Sequence, residues 1–136
     1  MRQSILLIDD TPGILRILSD ILKDSYDIII AKTGQDGMEL AKVQKPDLII
    51  LDVLMPGLSG LDVLKMLRDD EETANIPVVF ITGRTTNEDE EEGYALGIMD
   101  YIKKPFVRTV VKRRIDFNMQ YIAMKQQLAQ QRQEIE

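Results

Sequence analysis

Five short apolar runs recur along the chain, and polar or turn residues follow them. The runs cover residues 5–8, 26–31, 47–51, 78–81 and, as a weaker candidate, 99–102. Continuous apolar runs of this length are typical of strands that are buried on both faces, as in a parallel sheet. The pattern therefore predicts five strands.

The stretches between these runs have the spacing of amphipathic helices. Apolar residues recur three and four positions apart at Ile14, Ile17, Leu18, Ile21 and Leu22, and again at Leu61, Leu64 and Leu67. A third helix between residues 34–37 and Pro46 is marked by Met38, Leu40 and Ala41. Five alternations of strand and helix predict a doubly wound α/β domain, in which right-handed crossovers place helices on both faces of the sheet.

Polar residues follow the predicted strands at the edge where a doubly wound sheet forms its binding crevice. They are Asp9, Asp10, Asp52, Thr82 and Lys104. Three carboxylates at one edge repel one another unless a cation neutralises them, and Mg²⁺ prefers carboxylate and phosphate oxygens. The set offers a cation site, an acceptor oxygen, a hydroxyl and an ammonium, which suits phosphoryl transfer.

Parts of this set also have simpler structural explanations. One of Asp9 and Asp10 could cap the helix that begins near Pro12, since aspartate is a common N-cap and proline suits the first turn. Asp52 and Lys104 could form a salt bridge. Neither explanation accounts for all five residues.

The composition excludes several classes of chemistry. The 136 residues include no cysteine and no histidine, so disulfides, thiolate metal sites and catalytic relays built on imidazole are ruled out. The net charge of −6 disfavours binding to a nucleic-acid backbone. No apolar run approaches the roughly 20 residues that span a bilayer, and residues 1–4 do not begin a secretory signal. We expect a soluble, cytoplasmic protein with no direct nucleic-acid or membrane partner.

Residues 119–136 differ in composition from the rest, with no glycine or proline and many glutamines. Apolar residues recur at alternating steps of three and four if Arg114 and Gln131 fill the two remaining positions, which is a heptad pattern. These residues are Val107, Val110, Phe117, Tyr121, Met124, Leu128 and Ile135. We expect the helix to pack on the sheet from Val107 to about Ile115. Beyond that it should continue as a self-associating stalk, with a frayed tail as the alternative.

Four segments carry motifs in a specific order and spacing: residues 8–10, 47–60, 81–83 and 100–106. Together they resemble the receiver domain of two-component response regulators, across about Ser4 to Phe117. The resemblance implies a flavodoxin-like fold, with five parallel strands in the order 2-1-3-4-5, helices on both faces and an extended last helix. It divides the chain into a receiver domain, 1–117, and a helical or coiled-coil extension, 118–136, that begins a linker to an output domain.

The resemblance also implies a phosphoacceptor site. Asp52 would accept a phosphoryl group from a phosphohistidine of a sensor histidine kinase or phosphotransfer protein, and Thr82 and Lys104 would bind the phosphoryl oxygens. Four groups would hold Mg²⁺ or Mn²⁺: the carboxylates of Asp9, Asp10 and Asp52 and the backbone carbonyl of Leu54. Because the chain has no histidine, the donor must be another protein or a small acyl phosphate.

The same resemblance implies a signalling switch, not an enzyme acting on a separate substrate. Thr82 would move toward the phosphoryl group, and Tyr101 would turn inward into the space this opens. Without the resemblance, Tyr101 would be an amphipathic residue at the edge of the core with its hydroxyl in water. The last helix would pass the change to an output module or to a second copy in a homodimer.

Three other functions fit parts of the pattern. A flavodoxin-like electron carrier needs a hydroxyl-rich phosphate cradle after the first strand, where Asp9 and Asp10 would instead repel the flavin phosphate. A phosphatase with an aspartyl intermediate normally needs a second acid two residues after its nucleophile, where Leu54 stands. A dimerisation module that is independent of phosphorylation is disfavoured because every residue of the acceptor site is present.

Opposite charges stand on neighbouring parts of the predicted fold. Residues 88–92 are five consecutive acids at the start of the fourth helix, whereas Arg108 and residues 112–114 are basic. We expect these groups to pair within the chain, with an isologous dimer across that face as the alternative. Lys103, which should point away from the site on an extended strand, is expected to be solvated.

Overall fold

Strands and helices alternate throughout the computed structural model, which describes residues 2–83, 87–103 and 106–135. Each observed strand begins and ends within one residue of its predicted run. The elements of this part of the chain are β1 Ser4–Ile8, α1 Pro12–Leu22, β2 Asp27–Ala31, α2 Gly34–Gln44, β3 Leu48–Asp52, α3 Gly60–Asp69, β4 Val78–Thr82, α4 Asn87–Ala95, β5 Asp100–Lys103 and α5 Arg108–Ile135.

The five strands form one parallel sheet in the order β2-β1-β3-β4-β5. The central strands β3 and β4 are buried along their whole length, which explains why they read as uninterrupted apolar runs. The predicted fold and strand order are confirmed.

Side chains of the central strands alternate between two cores because successive residues of a strand point to opposite faces. One core lies against α1 and α5, and the other lies against α2 and α3. The first contains Ile5, Leu7, Leu48, Ile50, Val79 and Ile81. The second contains Leu6, Ile8, Ile49, Leu51, Val78 and Phe80. Helices therefore cover both faces, and the loops at the carboxyl ends of the strands are left as the accessible edge.

Helix α5 extends beyond the globular part. Its 28 residues make it about 42 Å long. Val111, Ile115, Met119 and Ile122 pack into the first core, whereas residues 123–132 are exposed. Packing on the sheet thus reaches Ile122, somewhat past the expected limit. Among the described helices, α5 included, none combines the length and the apolar character needed to cross a bilayer.

Candidate functional site

Strand register brings three acidic residues together at one edge of the sheet. Asp9 directly follows β1, Asp52 ends β3, and the two strands pair with Ile8 opposite Leu51. One carboxylate oxygen from each of Asp9, Asp10 and Asp52 lies within 4.8 Å of the other two. The three carboxylates therefore form one cluster, as the strand pattern predicts.

Two members of this acidic cluster are almost completely buried. Asp9 is 1% exposed and Asp52 is 4% exposed. Carboxylates that have lost most of their hydration and lie next to a third acid need a compensating positive charge. Three carboxylate oxygens within 4.8 Å of one another match the hard oxygen ligands that Mg²⁺ takes. The residues present therefore fit a divalent cation.

The start of α1 shows that the acidic pair is not the helix cap. Thr11 occupies the N-cap position, with Pro12 at the first helical position. The Thr11 backbone N–H donates to Asp9 Oδ1 at 2.8 Å, which orients that carboxylate. Neither Asp9 nor Asp10 caps the helix, so the alternative structural explanation for the pair is wrong.

The loop after β3 is held tightly around Asp52. The Leu54 backbone N–H donates to Asp52 Oδ1 at 3.3 Å, and the Gly60 N–H donates to the Val53 carbonyl at 2.8 Å. A Cβ at Gly60 would come within 2.4 Å of the Asp52 carbonyl oxygen. The start of α3 therefore packs directly on the Asp52 backbone.

The sequence analysis assigns no role to Gly60, the last residue of the motif 47–60. The sequence feature that could have identified it is the capping box formed by Ser59 and Asp62 around it. Ser59 accepts from the Asp62 backbone N–H at 3.1 Å, and the Asp62 side chain accepts from the Ser59 N–H at 3.0 Å. This arrangement marks where α3 begins, and hence where its first residue meets β3.

Thr82 lies at the same edge of the sheet as the acidic cluster. It ends β4, which pairs with β3 so that Asp52 lies opposite Ile81, and it is 1% exposed. Lys104 lies outside the described residues, so its predicted place at the site stays a prediction. The side chain of Leu54 is half exposed, and the role of its carbonyl as a ligand also stays a prediction.

This fold and this acidic edge agree with a family match over most of the chain. Residues 5–116 match the family described as the response regulator receiver domain. The chain belongs to this family. Receiver domains are signalling switches, so the electron carrier and the phosphatase are set aside as alternatives.

Individual relatives of this receiver domain support the same assignment. A Vibrio cholerae protein named "Probable cyclic di-GMP phosphodiesterase" is 35% identical over 117 residues, which are 86% of this chain and 26% of that protein. Protein PilH of Pseudomonas aeruginosa is 37% identical over 102 residues, 74% of this chain and 84% of PilH. The crystal structure of Vibrio cholerae chemotaxis protein CheY4 superposes with a TM-score of 0.80 at 27% identity, covering 85% of this chain and 98% of that one.

In this receiver domain Tyr101 already lies inside the protein. It is 5% exposed, its hydroxyl oxygen is shielded from solvent, and its ring meets Phe80 edge-on with centroids 6.1 Å apart. The alternative explanation, in which the Tyr101 hydroxyl lies in water, is therefore wrong. The inward position is compatible with a switch role, since it is one of the two positions which that role requires.

Lys103 covers the Tyr101 ring from outside. Its Nζ lies 5.8 Å from the ring centroid and 3.6 Å from Glu90 on α4. The side chain is exposed, but it is also paired, so the expectation of a merely solvated lysine is incomplete. Lys103 links α4 to β5 directly above the candidate switch residue.

The basic residues that begin α5 bind partners other than the acidic run. Lys112 pairs with Asp116 at 2.7 Å, Arg114 pairs with Asp100, and the Arg108 guanidinium donates to the Asp20 carbonyl at 3.1 Å. For these three residues the predicted pairing with residues 88–92 within the chain is wrong.

Asp100 forms the main polar junction between β5 and α5. Its carboxylate accepts from Arg114 Nε at 3.0 Å, from Asn118 Nδ2 at 3.3 Å and from the Tyr101 backbone N–H at 2.8 Å. Burial alone would raise the pKa of Asp100, but the hydrogen bonds and the charge of Arg114 outweigh it and hold that pKa below its ordinary value. The carboxylate is therefore ionised at neutral pH and ties the helix to the strand that carries Tyr101.

Proposed function

We propose that this receiver domain accepts a phosphoryl group on Asp52. The observation that carries the proposal is the acidic cluster: Asp52 ends a buried strand beside Asp9 and Asp10, with carboxylate oxygens within 4.8 Å of one another. Such a cluster has little structural value by itself, because like charges repel. It becomes favourable when a divalent cation and an anionic phosphoryl group enter together.

The proposed transfer is an in-line displacement on phosphorus. An Asp52 carboxylate oxygen forms the new P–O bond, the P–N bond of the donor phosphohistidine breaks, and its electron pair stays on the departing imidazole. Bound Mg²⁺ or Mn²⁺ would neutralise charge on the phosphoryl oxygens. Asp9, Asp10, Asp52 and the Leu54 carbonyl are the groups proposed to hold the cation.

The remaining site residues act on the phosphoryl oxygens. The Thr82 hydroxyl would donate a hydrogen bond to a phosphoryl oxygen, and Lys104 would supply a positive charge. The transferred group would then be positioned and its charge neutralised. Because the chain contains no imidazole of its own, the phosphoryl group must come from another molecule. The proposed donor is the phosphohistidine of a cytoplasmic sensor histidine kinase or phosphotransfer protein, with a small acyl phosphate as the alternative.

The proposed response runs from Thr82 through Tyr101 to helix α5. Movement of the Thr82 hydroxyl toward the phosphoryl group changes the packing beside β5, where Asp100 fastens α5 to the strand. We propose that the exposed half of α5 then acts on an output module and pairs two copies as a homodimer. The Vibrio cholerae relative, of which this chain spans 26%, makes a cyclic di-GMP phosphodiesterase one candidate output.

The test is phosphorylation with acetyl phosphate or a small phosphoramidate in the presence of Mg²⁺, followed by intact-mass measurement. Wild type should gain the mass of one phosphoryl group, and Asp52→Asn should gain none. Asp69→Asn is the matched control, because it makes the same substitution at an exposed acid at the end of α3. Equal labelling of Asp52→Asn and Asp69→Asn would refute the proposal.

A further inference from the structure

We propose that a cavity at the edge of the sheet where β4 and β5 begin binds a small organic carboxylate, a ligand that joins a carboxylate group to an apolar body. The cavity has a volume of about 410 Å³, and ligand pockets in proteins commonly measure about 300–1,000 Å³. It lies at the opposite edge of the sheet from the acidic cluster, which follows the ends of β1 and β3. The proposal therefore concerns a second site and does not depend on phosphorylation of Asp52.

Three segments and the end of α3 form the walls of this cavity. The loop before β4 contributes residues 74–77, the loop before β5 contributes Gly97 and Met99, and α5 contributes residues 121–122 and 125–126. Because α5 supplies one wall, the cavity depends on the packing of this helix against the sheet. A ligand in the cavity would contact both α5 and the loops that lead into β4 and β5.

The lining of the cavity is positively charged, although the chain as a whole is acidic. Arg68, at the end of α3, and Lys125 of α5 line the cavity, and no described aspartate or glutamate does so. The whole sequence has 23 acidic and 17 basic residues, so two bases without an acid is not the lining that its composition favours. Such a lining attracts anions and repels cations.

The positive charge of Arg68 is not neutralised by an acid in the described part of the chain. Its guanidinium donates to four backbone carbonyls at 2.9–3.3 Å, those of Leu96, Ala74, Ile76 and Gly97. These acceptors carry no net charge, and no ion pair of the described residues includes Arg68. Burial lowers the pKa of Arg68 below its ordinary value. The four hydrogen bonds use four of the five guanidinium N–H groups, which leaves one N–H and the charge for an anion.

Lys125 brings a second positive charge to the cavity. Its Nζ lies 5.5 Å from the centroid of the Tyr121 ring, and none of the ion pairs that the described residues form includes it. Asn75 and Gln126, which also line the cavity, carry side-chain amides that can donate hydrogen bonds. A carboxylate accepts several N–H groups on its two oxygens, and it binds cationic donors most strongly. The polar part of the lining therefore suits a carboxylate.

The remaining lining suits the apolar body of the proposed ligand. Ile76, Pro77, Met99 and Ile122 line the cavity, and so does Tyr121, which is 49% exposed. An organic acid would remove these apolar surfaces from water, whereas a simple inorganic anion would leave them hydrated. An aromatic body would also stack against the Tyr121 ring. The combination of positive charge and apolar surface therefore favours an organic carboxylate over an inorganic ion.

Titration with 2-naphthoate, followed by NMR without Mg²⁺, tests the site, because this probe joins one carboxylate to a flat apolar body. The backbone amide signals of residues 74–76 and 97–99 should shift and saturate, whereas those of Asp9, Asp10 and Asp52 should not shift. A ligand of about 13 non-hydrogen atoms is expected to reach a dissociation constant of about 1 mM or tighter. The neutral analogue 2-naphthylmethanol should bind at least about tenfold more weakly, because it lacks the charge that strengthens the hydrogen bonds.

Two substitutions on α5 test the contribution of charge at the cavity. Lys125→Gln removes a positive charge from the lining, and Gln126→Glu adds a negative one. Each should weaken the binding of 2-naphthoate several-fold and leave the binding of 2-naphthylmethanol unchanged. Both side chains are exposed, so both variants should keep the fold and the urea midpoint of wild type. Arg68 is left in place because it also holds four backbone carbonyls.

Lys23→Gln and Gln127→Glu are the matched controls, because they make the same two substitutions at exposed positions that do not line the cavity. Both controls should bind 2-naphthoate as wild type does. An equal loss of affinity in the controls and in the cavity variants would show that the net charge of the chain determines binding, and this would overturn the proposal. The proposal is also overturned if the two probes bind equally well, or if no saturable shift occurs at residues 74–76 and 97–99.

Discussion

The carboxylate of Asp52 owes its position to backbone contacts on two sides. The Leu54 N–H holds one carboxylate oxygen at 3.3 Å, while the first residue of α3 presses against the Asp52 carbonyl. The proposed nucleophile must be held in position if its attack on phosphorus is to be in line, so small shifts of this loop should change the rate of phosphorylation. Gly60 is the residue at which this can be tested.

We expect Gly60→Ala to slow phosphorylation of Asp52 and to lower the free energy of unfolding. Its Cβ would lie 2.4 Å from the Asp52 carbonyl oxygen and 2.7 Å from Val53 Cα, and backbone atoms cannot give way as a flexible side chain can. Overpacking of this kind costs typically about 1–3 kcal/mol. Urea unfolding and the rate of mass gain with acetyl phosphate measure the two effects.

Gly13→Ala supplies the control at a second helical glycine. A Cβ there meets nothing within 4 Å. Alanine is favoured over glycine in a helix by roughly 0.5–1 kcal/mol, so this variant should be as stable as wild type or slightly more stable. If the two variants unfold alike, the contact between α3 and Asp52 does not constrain the site.

At the scale of elements, the junction of β5 and α5 is held by a group of polar contacts. Asp100 accepts hydrogen bonds from Arg114 and Asn118 of the helix, and the Arg114 guanidinium also reaches the Tyr101 carbonyl. Charged and polar contacts depend on geometry more sharply than apolar ones. A junction of this kind can therefore transmit a change in β5 to α5.

We expect Asp100→Asn to lose stability at neutral pH and to approach wild type as the pH falls. The pKa of Asp100 is lower in the folded protein than its ordinary value of 3.8, chiefly because Arg114 outweighs the effect of burial. The stabilisation is therefore fully present above pH 3.8 and disappears as the pH falls through the folded-state pKa. Urea unfolding from neutral pH down to about pH 3, under conditions in which the chain is monomeric, measures the difference.

Arg114→Gln removes the same ion pair from the other side. It should abolish the same acid-dependent part of the stability, although it leaves the Asp100 carboxylate in place. A wild-type minus Asp100→Asn difference that stays constant across this pH range would contradict the assigned cause.

At the scale of the whole molecule, the negative charge divides into regions with different consequences. The net charge is −6, and three of the carboxylates are gathered at the site edge of the sheet. A cation bound there stabilises the folded chain by mass action, by about 2.7 kcal/mol at 100 times the dissociation constant. The interactions of exposed acids elsewhere in the chain depend mainly on ionic strength.

We expect Mg²⁺ to raise the urea midpoint of wild type well beyond the effect of Na⁺ at the same ionic strength. Asp10→Asn should remove most of this Mg²⁺-specific gain, because it removes a carboxylate from the cluster. Asp69→Asn should keep it. A gain of equal size in both variants would show that the cation acts by screening and not at the site.

Much of the fold could be predicted because its signals are local. Strands buried on both faces require continuous apolar residues, and residues 48–51 and 78–81 show this with no tertiary information. The alternation of strands with helices then leaves few topologies. Strand ends also locate the acidic edge, because parallel strands all end there, and so Asp9, Asp10 and Asp52 could be grouped before any distance was known.

The features that were predicted incorrectly depend on which of several possible partners a side chain meets in the folded chain. The basic residues of α5 were predicted to pair with acidic residues 88–92, but Arg114 pairs with Asp100 and Lys112 pairs with Asp116. For Tyr101, the alternative with its hydroxyl in water is excluded because the residue is buried, with its ring against Phe80 and Lys103. The Lys112–Asp116 pair has the i, i+4 spacing of a helical ion pair and could have been predicted, whereas the Arg114–Asp100 pair and the burial of Tyr101 depend on packing.

Residue order along the chain was enough to establish the layered α/β fold, the clustering of three carboxylates and the heptad spacing of the last helix, since each follows from a repeating local pattern. Which side of α5 folds against the sheet and which stays exposed, where Arg114 directs its charge, and how α3 bears on Asp52 depended on three-dimensional packing. These features are set by distances between elements, and such distances exist only after the sheet has assembled.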